Sequence, residues 1–242
     1  MFMSIEEKAV LLTGANRGLG RALVDEALRR GAKRVYAASR RPMVVPDERV
    51  TRLILDVTDA AQIREAAERV ESLDVVINNA GLSVPDDLSD RSAFERHLAV
   101  NLYGTLDVTR AFLPALARSH GAVVNIVSLG AVAAVPVLPA YSVSKAASLS
   151  LTQSLRALLA GRGIRVHAVL TGPTDTDMTR GFDIPKATPE SVARAIFDGV
   201  ENGEEDIFPD PMTQSIAEAW RTGVVKAMER QNAAFVTDRA AA

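Results

Sequence analysis

The feature that most restricts the fold is a series of short runs that are apolar at nearly every position. They are KAVLLT (8–13), RVYAAS (34–39), VTRLILD (50–56), LDVVINN (73–79), AVVNIVS (122–128) and IRVHAVL (164–170). A strand with one wet face alternates polar and apolar residues. Runs without that alternation belong to strands buried on both sides, as in a parallel sheet between two helical layers. Helical patterns separate the runs: 17–31, ended by a glycine, 59–72, with Thr58 or Asp59 placed to cap it, a long region over 88–119, and 140–160. The segment 189–202 opens on a proline suited to a first helical turn, EDIFP (205–209) is a candidate seventh strand, and a helical tail is expected over 212–232. Alternation of strand and helix predicts an α/β, doubly wound fold. It is expected as a single domain over 1–242, with a parallel sheet of about seven strands and helices on both faces.

Composition narrows the function. A net charge of −2 gives no basic field for nucleic acid or anionic lipid. The absence of cysteine excludes disulfides, thiolate zinc sites and iron–sulfur clusters. His97, His120 and His167 never pair at metal-ligand spacing, so no metal is expected. The start, MFMSIEEK, lacks the basic and apolar pattern of a signal peptide, and a cytoplasmic protein is the expectation. The longest uncharged stretch, 121–144, is broken by Asn125, Ser128, Pro136, Pro139 and Ser142, so it reads as a buried strand and loop and not as a membrane span.

TGANRGLG (13–20) lies between the first strand and the first helix. Gly14 suits a tight exit from the strand, and Gly18 and Gly20 let backbone approach a pyrophosphate at the helix N-terminus. Asn16, Arg17 and Leu19 complete that turn. The spacing is not that of a P-loop. The second strand runs into Ser39, Arg40 and Arg41, and 27–46 holds six basic side chains and no acid. A carboxylate at that point would favour NAD, whereas positive charge suits the 2′-phosphate of NADP. Arg40 is the first candidate, with Arg17 reaching the same phosphate from the other side. Asp56, followed by Val57, reads equally as a turn residue or as a partner for the adenine edge. Asn78, Asn79, Ala80 and Gly81 end the fourth strand at the same sheet edge.

Tyr141 and Lys145 are four apart on a helix and therefore share a face. A nearby ammonium favours the phenolate, and desolvation opposes it. Attraction wins in a wet cleft and loses in a dry one. Ser128, at the end of the fifth strand, can hold a substrate oxygen beside the phenol.

Together, TG-x3-G-x-G (13–20), NNAG (78–81), Asn101, Ser128 and YSVSK (141–145) resemble the short-chain dehydrogenases/reductases in their compact form. The resemblance covers almost the whole chain and implies a Rossmann-type fold. It further implies Tyr141 as general acid/base, Lys145 on the nicotinamide ribose, Ser128 orienting the carbonyl and Asn101 holding a water of the proton relay. LTGPTDTDM (170–178) is similar to a family segment in which Gly172, Thr174 and Thr176 meet the cofactor, although Thr171 stands where proline is usual. A homodimer or homotetramer is implied, with the long helices as the expected contact.

The implied activity is NADP(H)-dependent reduction of a ketone or aldehyde, reversible as alcohol oxidation. Candidate substrate walls are Leu82, Val135, Val137, Leu138, Met178 and Phe182. The alternatives are an NAD(P)-sensing regulator without turnover and an NAD-dependent alcohol dehydrogenase. Asp86 and Asp87 are adjacent carboxylates in a loop, without the context of a glycosidase pair. Charge-assisted contacts to the 2′-phosphate predict a preference for NADP over NAD of about ten- to several-hundred-fold. Steady-state kinetics with both cofactors should show Arg40→Asp erasing it; equal efficiencies in the wild type would refute the assignment.

Overall fold

Alternate residues of one strand enter opposite layers. In β1 (Ala9–Thr13), Val10 and Leu12 pack with Leu23, Ile196 and Phe197, whereas Ala9 and Leu11 pack with Ile63, Phe112 and Leu116. Both sets are buried, which is why the run is apolar throughout. The computed structural model describes residues 3–240, with side chains through residue 236.

The other strands are β2 (Arg34–Ser39), β3 (Val50–Ile54), β4 (Val75–Asn78), β5 (Ala122–Ile126), β6 (Arg165–Val169) and β7 (Asp206–Ile207). They form one parallel sheet in the order β3-β2-β1-β4-β5-β6-β7. Strand order reverses beside β1, which pairs with β2 on one side and β4 on the other, and a doubly wound sheet opens a crevice at the carboxyl ends there. Helices α1 (Gly18–Arg29) and α6 (Pro189–Glu201) cover one face. Helices α2 (Ala60–Arg69), α4 (Thr105–Ser119) and α5 (Pro139–Ala160) cover the other. Asp59 caps α2, its carboxylate accepting from Ala61 N and Gln62 N at 2.9 and 3.1 Å.

Two expected helices are divided. The region 88–119 becomes α3 (Arg91–Leu98), a π-helical turn over Ala99–Gly104, and α4. Asp90 caps α3 through Ser92 N at 2.8 Å. At the end of the π turn, a Cβ on Gly104 would stand 2.7 Å from Val57 Cγ2, so only glycine lets this chain lie against the β3–α2 loop. The tail is two helices, α7 (Pro211–Thr222) and α8 (Val224–Ala240), broken at Gly223, whose extended backbone ends the first.

A buried ionic cluster fastens the tail to the sheet. Lys226, 2 % exposed, reaches Glu205 and Asp206 at 2.8 Å and Glu229 at 3.0 Å. Asp206 also receives Arg156 and Trp220 Nε1, each at 2.8 Å. Removing one member of such a cluster strands the charges that remain. Lys226→Met should lower the unfolding free energy by about 3 kcal/mol in urea titrations. A loss too small to measure would show that Arg156 alone satisfies Asp206.

Candidate active site

The site forms where β1 and β4 end. Thr13 Oγ1 accepts from Asn79 N and Ala80 N, both at 3.0 Å, and Asn79 Nδ2 donates to Thr13 O at 3.0 Å and Gly14 O at 3.3 Å. The two strand exits are thus sewn together. Gly14 has φ +67°, and a Cβ on Gly20 would lie 2.1 Å from Gly14 O, so neither position admits a side chain without displacement. Arg17 begins α1 without a side-chain cap, leaving the first-turn amides facing the cleft. That cradle fits a pyrophosphate.

The cleft has a volume of about 510 Å³. At the end of the cleft beside β2, Ser39 Oγ donates to Arg41 O at 2.6 Å and shapes the turn that presents the exposed Arg40 and Arg41. Four cations (Arg17, Arg40, Arg41, Lys145) and two acids (Asp56, Asp177) line the cleft, a balance suited to an anionic ligand. Asp56 performs the turn role, accepting from Thr58 N at 3.0 Å and Thr58 Oγ1 at 2.7 Å, and also borders the cleft beside Val57. Arg17, expected at the phosphate, bonds Asp177 across the mouth at 2.9 Å. Asn16, Gly18, Leu19, Ala80, Gly81, Gly172, Thr174 and Thr176 all line the cleft.

Asn78 does not. Its side chain turns inward, donating to Thr109 Oγ1 at 2.9 Å and Asn125 Oδ1 at 2.8 Å, and is 4 % exposed. Its neighbour Asn79, which the sequence placed at the same sheet edge, takes the position on the cleft. The register explains the exchange, because Asn78 lies opposite Asn125 and so shares its face.

Ser128, Tyr141 and Lys145 meet at the other end of the cleft. Ser128 Oγ accepts from Gly130 N at 3.0 Å, which leaves its own proton for an oxygen in the cleft. Lys145 is buried; its Nζ donates to Ile126 O at 2.7 Å and lies 5.8 Å from the centroid of the Tyr141 ring. Burial lowers the Lys145 ammonium to about 8. Burial also pushes the Tyr141 phenol up, with the hydrogen bond to Ser128 opposing in part. Of the two outcomes open to this pair, desolvation prevails over attraction.

Asn101, 1 % exposed, sits in the π turn with its amide fully engaged. Oδ1 accepts from Leu82 N at 2.8 Å, and Nδ2 donates to Leu82 O at 2.9 Å and Ser144 Oγ at 2.8 Å. Beyond β6, after Thr171, the chain is held by the buried Asp210, whose carboxylate accepts from Gly172 N at 2.7 Å. Of the six expected substrate walls, Leu82 and Met178 line the cleft. Leu138 is instead buried at the start of α5, Val135 and Val137 are exposed on the preceding loop, and Phe182 stands off in the segment after Met178. The turn before α5, closed by Leu138 N on Val135 O at 2.9 Å, leaves these valines facing solvent, which position in the sequence does not reveal.

Residues 8–186 match the family described as short chain dehydrogenase. Estradiol 17-beta-dehydrogenase 2 of Mus musculus is 32% identical over 199 residues, covering 75% of this chain and 52% of that protein. The chain therefore spans about half the length of that relative. Ketoacyl reductase HetN of a Nostoc species is 32% identical over 238 residues, covering 86% of this chain and 81% of the relative. A short chain dehydrogenase from Burkholderia cenocepacia, crystallised in complex with NADP, superimposes with a TM-score of 0.87 at 36% identity, covering 95% of this chain and 98% of its own. With the matched region taking in the glycine turn, Ser128, Tyr141 and Lys145, this chain belongs to the short chain dehydrogenase family.

Proposed function

We propose that the protein is an NADP(H)-dependent oxidoreductase that reduces a ketone or aldehyde to an alcohol, reversibly. The observation that carries this reading is one continuous cleft, with Arg40 and Arg41 at one end, Ser128, Tyr141 and Lys145 at the other, and a glycine cradle between. The resemblance to an NADP complex supports the cofactor assignment. The residues present fit the group: α1 amides for the pyrophosphate, Arg40 and Arg41 for the 2′-phosphate, and Lys145 for the nicotinamide ribose. The chemistry supplied by bound NADPH is hydride delivery to the carbonyl carbon.

The chain's own residues manage the oxygen and its proton. Ser128 donates to the carbonyl oxygen and holds it beside Tyr141. The phenol, kept protonated by burial, gives its proton to that oxygen as negative charge develops there. Lys145 then compensates the phenolate left behind. Asn101 fixes Leu82, one wall of the substrate space, and with Met178 this wall favours an apolar group next to the carbonyl.

Tyr141→Phe should lower kcat for NADPH-dependent reduction at least about 100-fold, measured on a panel of ketones and aldehydes; a variant retaining wild-type kcat would end the proposal. The Lys145 ammonium, at about 8, is charged below that pH and neutral above it. The profile of kcat/KM for reduction should therefore fall as pH rises through about 8, because the phenolate loses its compensating charge. A profile that rises through the same window would contradict the assigned role.

A further inference from the structure

Helix α5 carries Tyr141 and Lys145, yet its own first residues cannot cap it. The N-cap is Leu138, with no side-chain hydrogen bond, and Pro139 at the first position has no N–H. Ser142 N is already bonded to Leu138 O at 3.0 Å. Ala140 N, immediately before Tyr141, donates instead to Asp86, with both carboxylate oxygens at 3.3 Å. The cap comes from a loop 54 residues upstream.

That loop is itself tied down residue by residue. Asn101 holds both the N–H and C=O of Leu82. The fully buried His97 accepts from Val84 N through Nε2 at 3.2 Å, its Nδ1 engaged with Ala93 O at 2.8 Å. Asp86 Oδ1 also accepts from Leu88 N at 3.2 Å. Asn101 bonds Ser144 Oγ as well, so the loop grips α5 at Ala140 and the π turn grips it at Ser144, on either side of Tyr141.

We propose that Asp86 is a positioning residue for Tyr141: by holding Ala140 N it seats the first turn of α5 so that the phenol stays at Ser128. The proposal rests on the reductase reading above for its catalytic consequence, but not for its geometry. Lys145 shares the Tyr141 end of the cleft, and Arg17, Arg40, Arg41, Asp56 and Asp177 line the rest of it. Asp87, next in the loop, is exposed and turned to Ser89. Asp86 alone among these acids bonds the backbone of the helix that bears the phenol. A carboxylate at a helix N-terminus stabilises the first turn and so fixes where the next side chain, Tyr141, is held.

Two variants separate position from charge. Asp86→Asn keeps an oxygen acceptor for Ala140 N and removes the charge; Asp86→Ala removes both. Ionisation of Tyr141 is followed without cofactor, as the near-ultraviolet difference between each protein and its Tyr141→Phe counterpart, which cancels Tyr36 and Tyr103. Asp86→Ala, which frees the turn and withdraws the phenol from Ser128, should ionise Tyr141 higher by about half a pH unit, and Asp86→Asn, which keeps the acceptor, should stay with the wild type. In turnover, Asp86→Ala should lose kcat by about tenfold with the KM for NADPH within about twofold, and Asp86→Asn should lose less. If Asp86→Ala does not fold, Asp86→Glu, which keeps the charge and displaces the acceptor, takes its place. A wild type that reduces no carbonyl overturns the reductase reading while the titration still tests Asp86. A Tyr141 titration in Asp86→Ala that coincides with the wild type overturns the proposal.

Discussion

The cleft depends on a contact between two stretches of main chain, the exit of β1 at Gly14 and the exit of β4 at Asn79–Ala80. Thr13 and Asn79 hydrogen-bond across this junction, and the absence of a side chain at Gly14 and Gly20 lets the backbones come within contact distance. Everything functional is placed relative to that junction: the uncapped start of α1, the arginine turn after β2, and the end of β4 facing Ser128. A parallel sheet with its order reversed at β1 leaves a crevice in this position. The glycines then decide how close a ligand's phosphates can come to the peptide groups.

Electrostatics at the catalytic end are a contest between solvent exclusion and charge pairing. Burial acts on both partners in the direction of neutrality, holding the Tyr141 phenol protonated and easing the proton off Lys145. A proton donor must hold its proton until the acceptor oxygen becomes basic, so a raised phenol suits the reductive direction. The ammonium is anchored on Ile126 O rather than on the phenol oxygen, and so remains available to a ribose hydroxyl.

Much of this architecture was legible in the sequence because it is written in local periodicity. Runs apolar at nearly every position gave six of the seven parallel strands, EDIFP was a candidate for the seventh, and Thr58 or Asp59 marked the start of α2. The glycine turn and the 128–145 region could be placed at one sheet edge from strand order alone. What escaped depends on register or on distant contacts. The π turn over Ala99–Gly104 continues the same apolar pattern as the helices on either side, so no breaker announces it. Asn78 and Asn79 are indistinguishable until pairing with Asn125 decides which one faces inward. Asp86 as a cap, Asp177 on Arg17 and Asp210 on Gly172 all join segments far apart in the chain, and no short-range signal contains them.

The ionic knot at Lys226 has a consequence for how the molecule keeps to itself. The last strand of an open sheet exposes a row of unpaired peptide groups on which a foreign strand can grow. Here that strand is two residues long, and one of the two is Asp206, locked beneath a helix by Lys226, Arg156 and Trp220. A neighbouring chain finds no ribbon to extend, only a short border roofed by α7 and α8.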